Sequence, residues 1–231
     1  MSDPSVSVVI PVRDGAAYVA AALDSIRGQT TPPTEIVVVD DGSRDATPDV
    51  LSHYAGAVRV VRQERLGMGQ ALNRGLDEAK GSIIGFCDAD DLWAPRKQEH
   101  QLACLANEPD CSAVGGLVAQ FVSPEAHAAT AHLRVDETPT AAALLGALLL
   151  RRAAIDRVGP FDTTTSFVTA VDWIARARAT GLAIVMLDEV VLRRRVHGAN
   201  LTVTNPAEHH QGLLRALRAQ HRRRRGAEPP T

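Results

Sequence analysis

The chain has 231 residues, 45% of them apolar and 23% charged, enough to enclose a real core in one domain, at most one and a half. Twenty-five Lys and Arg against 27 Asp and Glu leave a formal charge of −2, so the body carries no basic footprint for DNA or RNA, and 3% aromatic residues argue against a base-stacking surface. No apolar run approaches the roughly 20 residues that cross a bilayer, and the start, MSDPSVSVVIPV, lacks the basic and small-residue segments of a signal peptide, so the expected location is the cytoplasm.

The first strand is the apolar run from Val6 to Val12, and Val19, Leu23 and Ile26 then recur on one helical face. Ile36 to Val39 is a second buried run ending at Asp40 and Asp41. Thr47 and Pro48 fit the N-cap and first position of a helix through Val50 and Leu51. Val58 to Val61 reads as a third strand. Met68, Leu72, Leu76 and Ala79 are in helical phase up to Gly81, which fits a C′ glycine, and Ile83 to Cys87 is a fourth strand.

Short β-branched runs separated by helical patterns predict an α/β fold, with a doubly wound parallel sheet covered on both faces. Ligands of such sheets sit outside the carboxyl ends of the strands, where Asp14, Asp40, Asp41 and Asp88 to Asp91 fall. Residues 122–140 are polar and Ala-rich, with Pro124 and Pro139, and read as a mobile loop over the site. Ala141 to Leu150 is apolar, Ala154 to Val158 and Val171 to Thr180 read as helices, and Leu182 to Leu187 and Val190 to Val196 as strands. A helix from Pro206 runs into Arg222 to Arg225, either a solvated tail or a patch for anionic lipid. Cys87, Cys104 and Cys111 are odd in number and lack C-x-x-C spacing, so reduced, mostly buried thiols are expected, with no zinc site.

The strongest local feature is the strand Ile83 to Cys87 emptying into Asp88-Ala89-Asp90-Asp91. Carboxylates this close repel and raise one another's pKa unless a cation sits among them, and hard oxygen ligands suit Mg²⁺ or Mn²⁺ with phosphate oxygens. The other reading is that these residues cap the helix starting near Pro95. Asp40-Asp41-Gly42-Ser43 offers a carboxylate for a base N–H or a ribose hydroxyl, or is ordinary turn chemistry. His197, after three arginines, is either a ligand or a surface histidine; Trp173 is core or an acceptor platform, and Trp93 is a candidate sugar contact.

Several segments together resemble the inverting family 2 glycosyltransferases of GT-A fold: Ser7 to Val12, Gln29-Thr30, Glu35 to Ser43, Ala71 to Leu76, Asp88 to Asp91, Val158 to Asp162, Val171 to Trp173, and His197 within Arg195 to Asn200. The resemblance runs from about residue 5 to about residue 203. It implies a nucleotide-sugar-binding half over 1–121, an acceptor and catalytic-base half over 122–203, and a C-terminal helix and tail over 204–231. By the same resemblance Asp41 holds the nucleotide base, with Pro11 and Arg13 lining that pocket, and Asp88 contacts the ribose. Asp90 and His197 complete the metal site, for Mn²⁺ or Mg²⁺, and Asp172 is the catalytic base.

The implied reaction moves one sugar from a nucleoside diphosphate donor, UDP-linked, to an acceptor hydroxyl with inversion. The acceptor, whether saccharide, lipid-linked saccharide, metabolite or peptide, carries no signature. Arg13 and Asp14 stand where the family often has an aromatic residue and Asn, Leu72 where many members have Arg, and Val171 where an acidic residue usually precedes the base. The Q-x-x-R-W motif of processive members is absent, which favours a single transfer. The competing readings are a non-catalytic sugar-nucleotide-binding subunit, a nucleotidyltransferase, for which the Gly-rich loop is missing, and a phosphatase of the haloacid-dehalogenase type, whose D-x-D normally opens the domain.

Overall fold

The computed structural model describes residues 4–122, 138–142, 144–164 and 169–197. Most of the expected loop over 122–140, the helix from Pro206 and the run Arg222 to Arg225 lie outside the described residues. The elements are β1 (Val6–Val12), α1 (Val19–Arg27), β2 (Glu35–Asp41), α2 (Thr47–Ser52), β3 (Arg59–Gln63), α3 (Met68–Glu78), β4 (Ile83–Phe86), β5 (Leu92–Trp93), α4 (Lys97–Asn107) and β6 (Ala113–Val122). They continue with β7 (Thr140–Ala141), a 3₁₀ turn (Leu145–Ala147), β8 (Leu149–Arg151), α5 (Arg152–Val158), α6 (Thr169–Ala179) and β9 (Ile184–Val196).

One sheet carries all of this, in the order β3-β2-β1-β4-β8-β6-β9-β5, with β7 beside β6. β1 is parallel to β2 and β4, and β2 to β3. β8 enters antiparallel to both β4 and β6, which leaves β6 parallel to β4, and β9 runs parallel to β6. The carboxyl ends of β1, β2, β4, β6 and β9 therefore share one edge, although β4 and β9 are remote in sequence. Alternation along β1 sends Val8 and Ile10 toward the core beneath α1, with Leu23 and Ile26, and Val9 toward the opposite core, with Leu72, Phe86 and Trp173. A strand buried on both faces has to be apolar at every position, which is why β1 reads as an unbroken run.

Several expectations are corrected by these contacts. α3 ends at Glu78, and Gly81 does not take a left-handed turn. It is needed for close approach instead, because a Cβ there would stand 2.6 Å from the Ser7 amide nitrogen. Thr47 is the first residue of α2 and not its cap; its hydroxyl is turned to the Asp45 carboxylate and accepts from the Gly15 amide. Leu182 to Leu187 and Val190 to Val196 are not two strands. From Ile184 onward they form one, β9, whose register beside β6 shifts between Met186 and Val190. β3 starts at Arg59 and is an edge strand with Val60 exposed. All three cysteines are free, Cys87 and Cys111 buried and Cys104 half-buried. No helix among the described residues is long and apolar enough to cross a membrane.

Candidate active site

At the shared edge, the loops after β1 and β2 are tied together by side chains that accept backbone N–H groups. The Asp14 amide donates to Ser43 Oγ at 3.0 Å and the Ala16 amide to Asp45 Oδ2 at 3.0 Å, while Asp14 Oδ1 accepts from the Arg44 amide at 2.8 Å. Short polar residues are suited to this because they satisfy turn amides locally. Asp14 sits at φ +51°, the left-handed region that Asp tolerates better than most residues. Pro11 is buried in β1 opposite Val39, and Arg13 lies exposed beyond the strand with its Nε 3.5 Å from Asp14 Oδ2.

Asp40 and Asp41 are buried at 1% and 4% exposure, and both serve the chain itself. Asp40 Oδ1 accepts from the Ser43 amide at 2.8 Å, and its other oxygen faces Arg62 at 3.5 Å. Asp41 accepts from Gln63 Nε2 at 2.7 Å and from the Leu66 and Gly67 amides at 2.8 and 2.9 Å. Asp41 thus holds the β3–α3 loop. Gly42 turns back at φ +73°, where a Cβ would stand 2.9 Å from the Arg65 amide nitrogen.

The end of β4 is different. Asp88, Asp90 and Asp91 can bring one oxygen each within 4.8 Å of one another. Asp88 stays open to solvent, yet the chain around it displaces enough water, and Asp90 adds enough like charge, to push its carboxyl up to about 6 against the relief from Arg194. Asp91, 4% exposed, is raised well above the carboxylate range by burial and then by the charges of Asp88 and Asp90.

β9 delivers the rest of the group. The Arg195 amide donates to Asp91 Oδ1 at 2.9 Å, and Arg195 Nε to the Asp90 carbonyl oxygen at 2.9 Å. His197, 5% exposed, places Nε2 3.0 Å from Asp90 Oδ2, and its ring centroid lies 4.4 Å from that of Tyr18. Asp90 and His197 therefore meet as expected, with Asp88 and Asp91 grouped around Asp90. Asp91 belongs to the acidic cluster the sequence pointed to; Tyr18 and Arg195 were given no role, although Tyr18 is one of only two tyrosines and Arg195 stands two residues before His197.

Trp93, the candidate sugar contact, and Trp173, open between core and acceptor platform, are both core residues. Trp93 is 2% exposed, donates from Nε1 to the Phe86 carbonyl at 3.3 Å and has Lys97 Nζ 4.7 Å from its ring centroid. Trp173 is fully buried, donates to the Gly159 carbonyl at 2.9 Å and packs on Phe161, with 5.4 Å between ring centroids. Neither offers a face to a sugar. In an α/β core of few aromatics, the large rings fill the gap between helix and sheet.

Asp172, beside Trp173 in the first turn of α6, is held by Arg176, with Nε 2.9 Å from Oδ2. The same guanidinium donates to the Val158 and Pro160 carbonyls at 2.9 and 2.7 Å, so Arg176 fastens Asp172 to the turn after α5. That turn is also gripped from α3. Asn73 Nδ2 donates to the Phe161 carbonyl at 3.0 Å, and the Phe161 amide donates to Asn73 Oδ1 at 2.8 Å. Arg176 was not singled out by sequence; its signal is the spacing of four from Asp172, which puts both on one helix face.

The donor set suits a hard divalent cation. Three carboxylates lie close together with an imidazole nitrogen against one of them, and like charge raises Asp88 and Asp91 in spite of Arg194 and the Arg195 amide, so a cation among them would relieve the repulsion that remains. A largely parallel sheet with such an edge is the architecture of enzymes that handle nucleotides at strand ends. A family model described as Glycosyl transferase family 2 matches residues 7–159, and the chain belongs to that family.

The chain is 32% identical over 225 residues to an uncharacterized glycosyltransferase of Rickettsia typhi, covering 91% of this chain and 70% of that one. It is 28% identical over 215 residues to an uncharacterized glycosyltransferase of Nostoc, covering 84% and 66%. Among solved structures it is similar to the mannosyltransferase PcManGT of Pyrobaculum calidifontis in complex with GDP-Man and Mn²⁺, with TM-score 0.71 and 23% identity, covering 96% of this chain and 65% of that one. It is also similar to S. aureus TarS 1–349 in complex with UDP, with TM-score 0.70 and 20% identity, covering 94% and 65%. The fold is thus of GT-A type, and the chain spans just under two thirds of these two solved chains.

Proposed function

We infer that this chain transfers a single sugar, with inversion, from a nucleoside diphosphate donor, UDP-linked, to an acceptor hydroxyl. One observation carries the reading: Asp90, in the aspartate group at the end of β4, meets His197 after β9 at the strand-end edge. The solved neighbours hold UDP in one case and GDP-Man with Mn²⁺ in the other, which supports the donor class.

Asp90 and His197, with Asp88 or Asp91 beside them, are the residues that would hold Mn²⁺ or Mg²⁺. When bound, such a cation supplies Lewis-acid stabilisation of the negative charge gathering on the departing diphosphate. The chain's own part is orientation and proton transfer. The Asp172 carboxylate takes the proton of the acceptor hydroxyl, a role that contributes about 10²- to 10⁴-fold. Arg176 keeps that carboxylate aimed by fixing both it and the Val158–Pro160 turn. Arg13, exposed beyond β1, would border the base, and Asp41, expected to hold the base itself, would act there through the loop from Gln63 to Gly67 that it fixes.

The test is thermal unfolding with UDP or GDP, each with and without Mn²⁺, followed by donor turnover. UDP with Mn²⁺ is expected to raise the melting temperature, and Asp90→Ala to abolish the rise. Asp172→Asn is expected to keep the rise and lose turnover by about 10²-fold or more. Stabilisation by neither nucleotide would overturn the donor reading, stabilisation without turnover in the parent would favour a non-catalytic sugar-nucleotide-binding subunit, and loss of binding in Asp172→Asn would mean that Asp172 belongs to the donor pocket.

A further inference from the structure

Arg195 reaches the acidic loop twice, once through its amide to the Asp91 carboxylate and once through Nε to the Asp90 carbonyl. Its guanidinium carbon lies 5.0 Å from the ring centroid of Tyr18 and 4.8 Å from that of Phe121, so the charged plane is flanked by two aromatic rings. Tyr18 also meets His197, at 4.4 Å between ring centroids. The next residues of the acidic loop pair with the same strand, Leu92 opposite Arg193 and Trp93 opposite Leu192. Arg195 is only 7% exposed, so its orientation is fixed by these neighbours and not by solvent.

The geometry points to Arg195 and Tyr18 as positioning residues that set His197 against Asp90 before any cation or donor arrives. This rests on the reading of Asp90 and His197 as cation-holding residues. The physical case starts from repulsion. Asp88, Asp90 and Asp91 push one another apart, so an acidic loop held by nothing else would open and leave the cation to pay for its closure. Two hydrogen bonds from Arg195, one from its amide and one from its side chain, hold the C-terminal end of that loop, Asp90 and Asp91, to β9, whose last residues lead straight into His197. Tyr18, the residue just before α1, lies against both Arg195 and His197.

A planar guanidinium suits this place because it can donate in its plane and stack on rings with its faces. A lysine ammonium has the charge but not the plane. Outer-shell partners of this kind typically change metal affinity by about 10- to 100-fold when removed.

The experiment is a Mn²⁺ titration of the full chain, read by loss of the free-ion paramagnetic resonance signal, with and without UDP, and with the melting temperature of each variant measured alongside. Arg195→Lys and Tyr18→Leu are each expected to weaken Mn²⁺ binding by about 10-fold. Tyr18→Phe, which keeps the ring, is expected to stay within about twofold of the parent, a rescue that a general loss of stability would not produce. Arg195→Lys and Tyr18→Leu both binding as the parent does, while Asp90→Ala loses Mn²⁺, would overturn the clasp alone. A parent that binds no Mn²⁺ under either condition, or an Asp90→Ala variant that binds it unchanged, would overturn the cation site and the clasp with it. Should Arg195→Lys fail to fold, the pair Tyr18→Leu and Tyr18→Phe decides the matter.

Discussion

β2 and β4 look alike in the sequence: each is an apolar strand whose end is crowded with aspartates, three positions from one another at most. Folded, they are opposites. Asp40 and Asp41 are buried and accept from amides and a glutamine of the loops beside them, so their charge is spread over donors the chain supplies. Asp88 and Asp91 lean on one another and on Asp90, and both are pushed upward in pKa. A strand end whose carboxylates are spread over amide donors is a structural joint, and one whose carboxylates raise one another's pKa despite their partners is the better candidate for a cation site. Motif spelling alone does not separate the two, because the separation is made by donors from elsewhere in the chain.

The comparison breaks most readily at Asp41. Asp41→Ala strips acceptors from the Leu66 and Gly67 amides and from Gln63, and is expected to cost about 3 kcal/mol of stability in a denaturant titration, since hydrogen bonds to charged groups are worth about 1.5–3 kcal/mol each and orphaned donors add to the loss. A cost under about 1 kcal/mol would mean that water replaces the carboxylate and that the joint is not structural.

Behind the β4 end lies Lys97, 1% exposed, with Nζ 2.9 Å from Gln101 Oε1. Burial drives its ammonium down to about 7, partly opposed by the nearby Cys87. Between there and the ordinary lysine value of about 10.4, the unfolded chain binds a proton that the folded chain does not, so this residue makes stability rise with pH across that window. Lys97→Met is expected to remove a rise of up to about 1.4 kcal/mol per pH unit, measured as the difference between parent and variant stability from pH 7 to pH 10. An unchanged difference across that range would show the lysine to be protonated in the fold.

The smallest effect belongs to the acidic loop. Asp90→Asn keeps an oxygen for His197 and removes one of three like charges, so stability in cation-free buffer is expected to hold within about 0.5 kcal/mol or to improve. A loss as large as that of Asp41→Ala would make the β4 end a joint like its neighbour and erase the contrast.

How much of this could be read beforehand follows the range of the contacts. β1, β2, β4 and α1 were legible because their apolar patterns are set by local periodicity and by burial on both sheet faces. The acidic cluster and His197 were legible as residue types, and their meeting followed once β9 ran parallel to β6. What was not legible depends on partners far along the chain: the loop that satisfies Asp41, the Arg195 contacts with Asp90 and Asp91, and the Ser7 backbone that leaves Gly81 no room for a side chain. Trp93 and Trp173 misled for the same reason, since a ring beside a polar motif is placed by whatever helix packs over it.

The reciprocal hydrogen bonds between Asn73 and the Phe161 backbone bear on how such a chain could be re-engineered. They weld a helix of the N-terminal half to the turn that precedes α6, and Gly69 lets the Asp162 carbonyl nestle against the same helix. A chimera that swapped in a foreign C-terminal half at the obvious seam near residue 122 would inherit a turn shaped for someone else's helix. Exchange of this segment between relatives should therefore carry α3 along with it, a two-piece transplant in place of a single crossover.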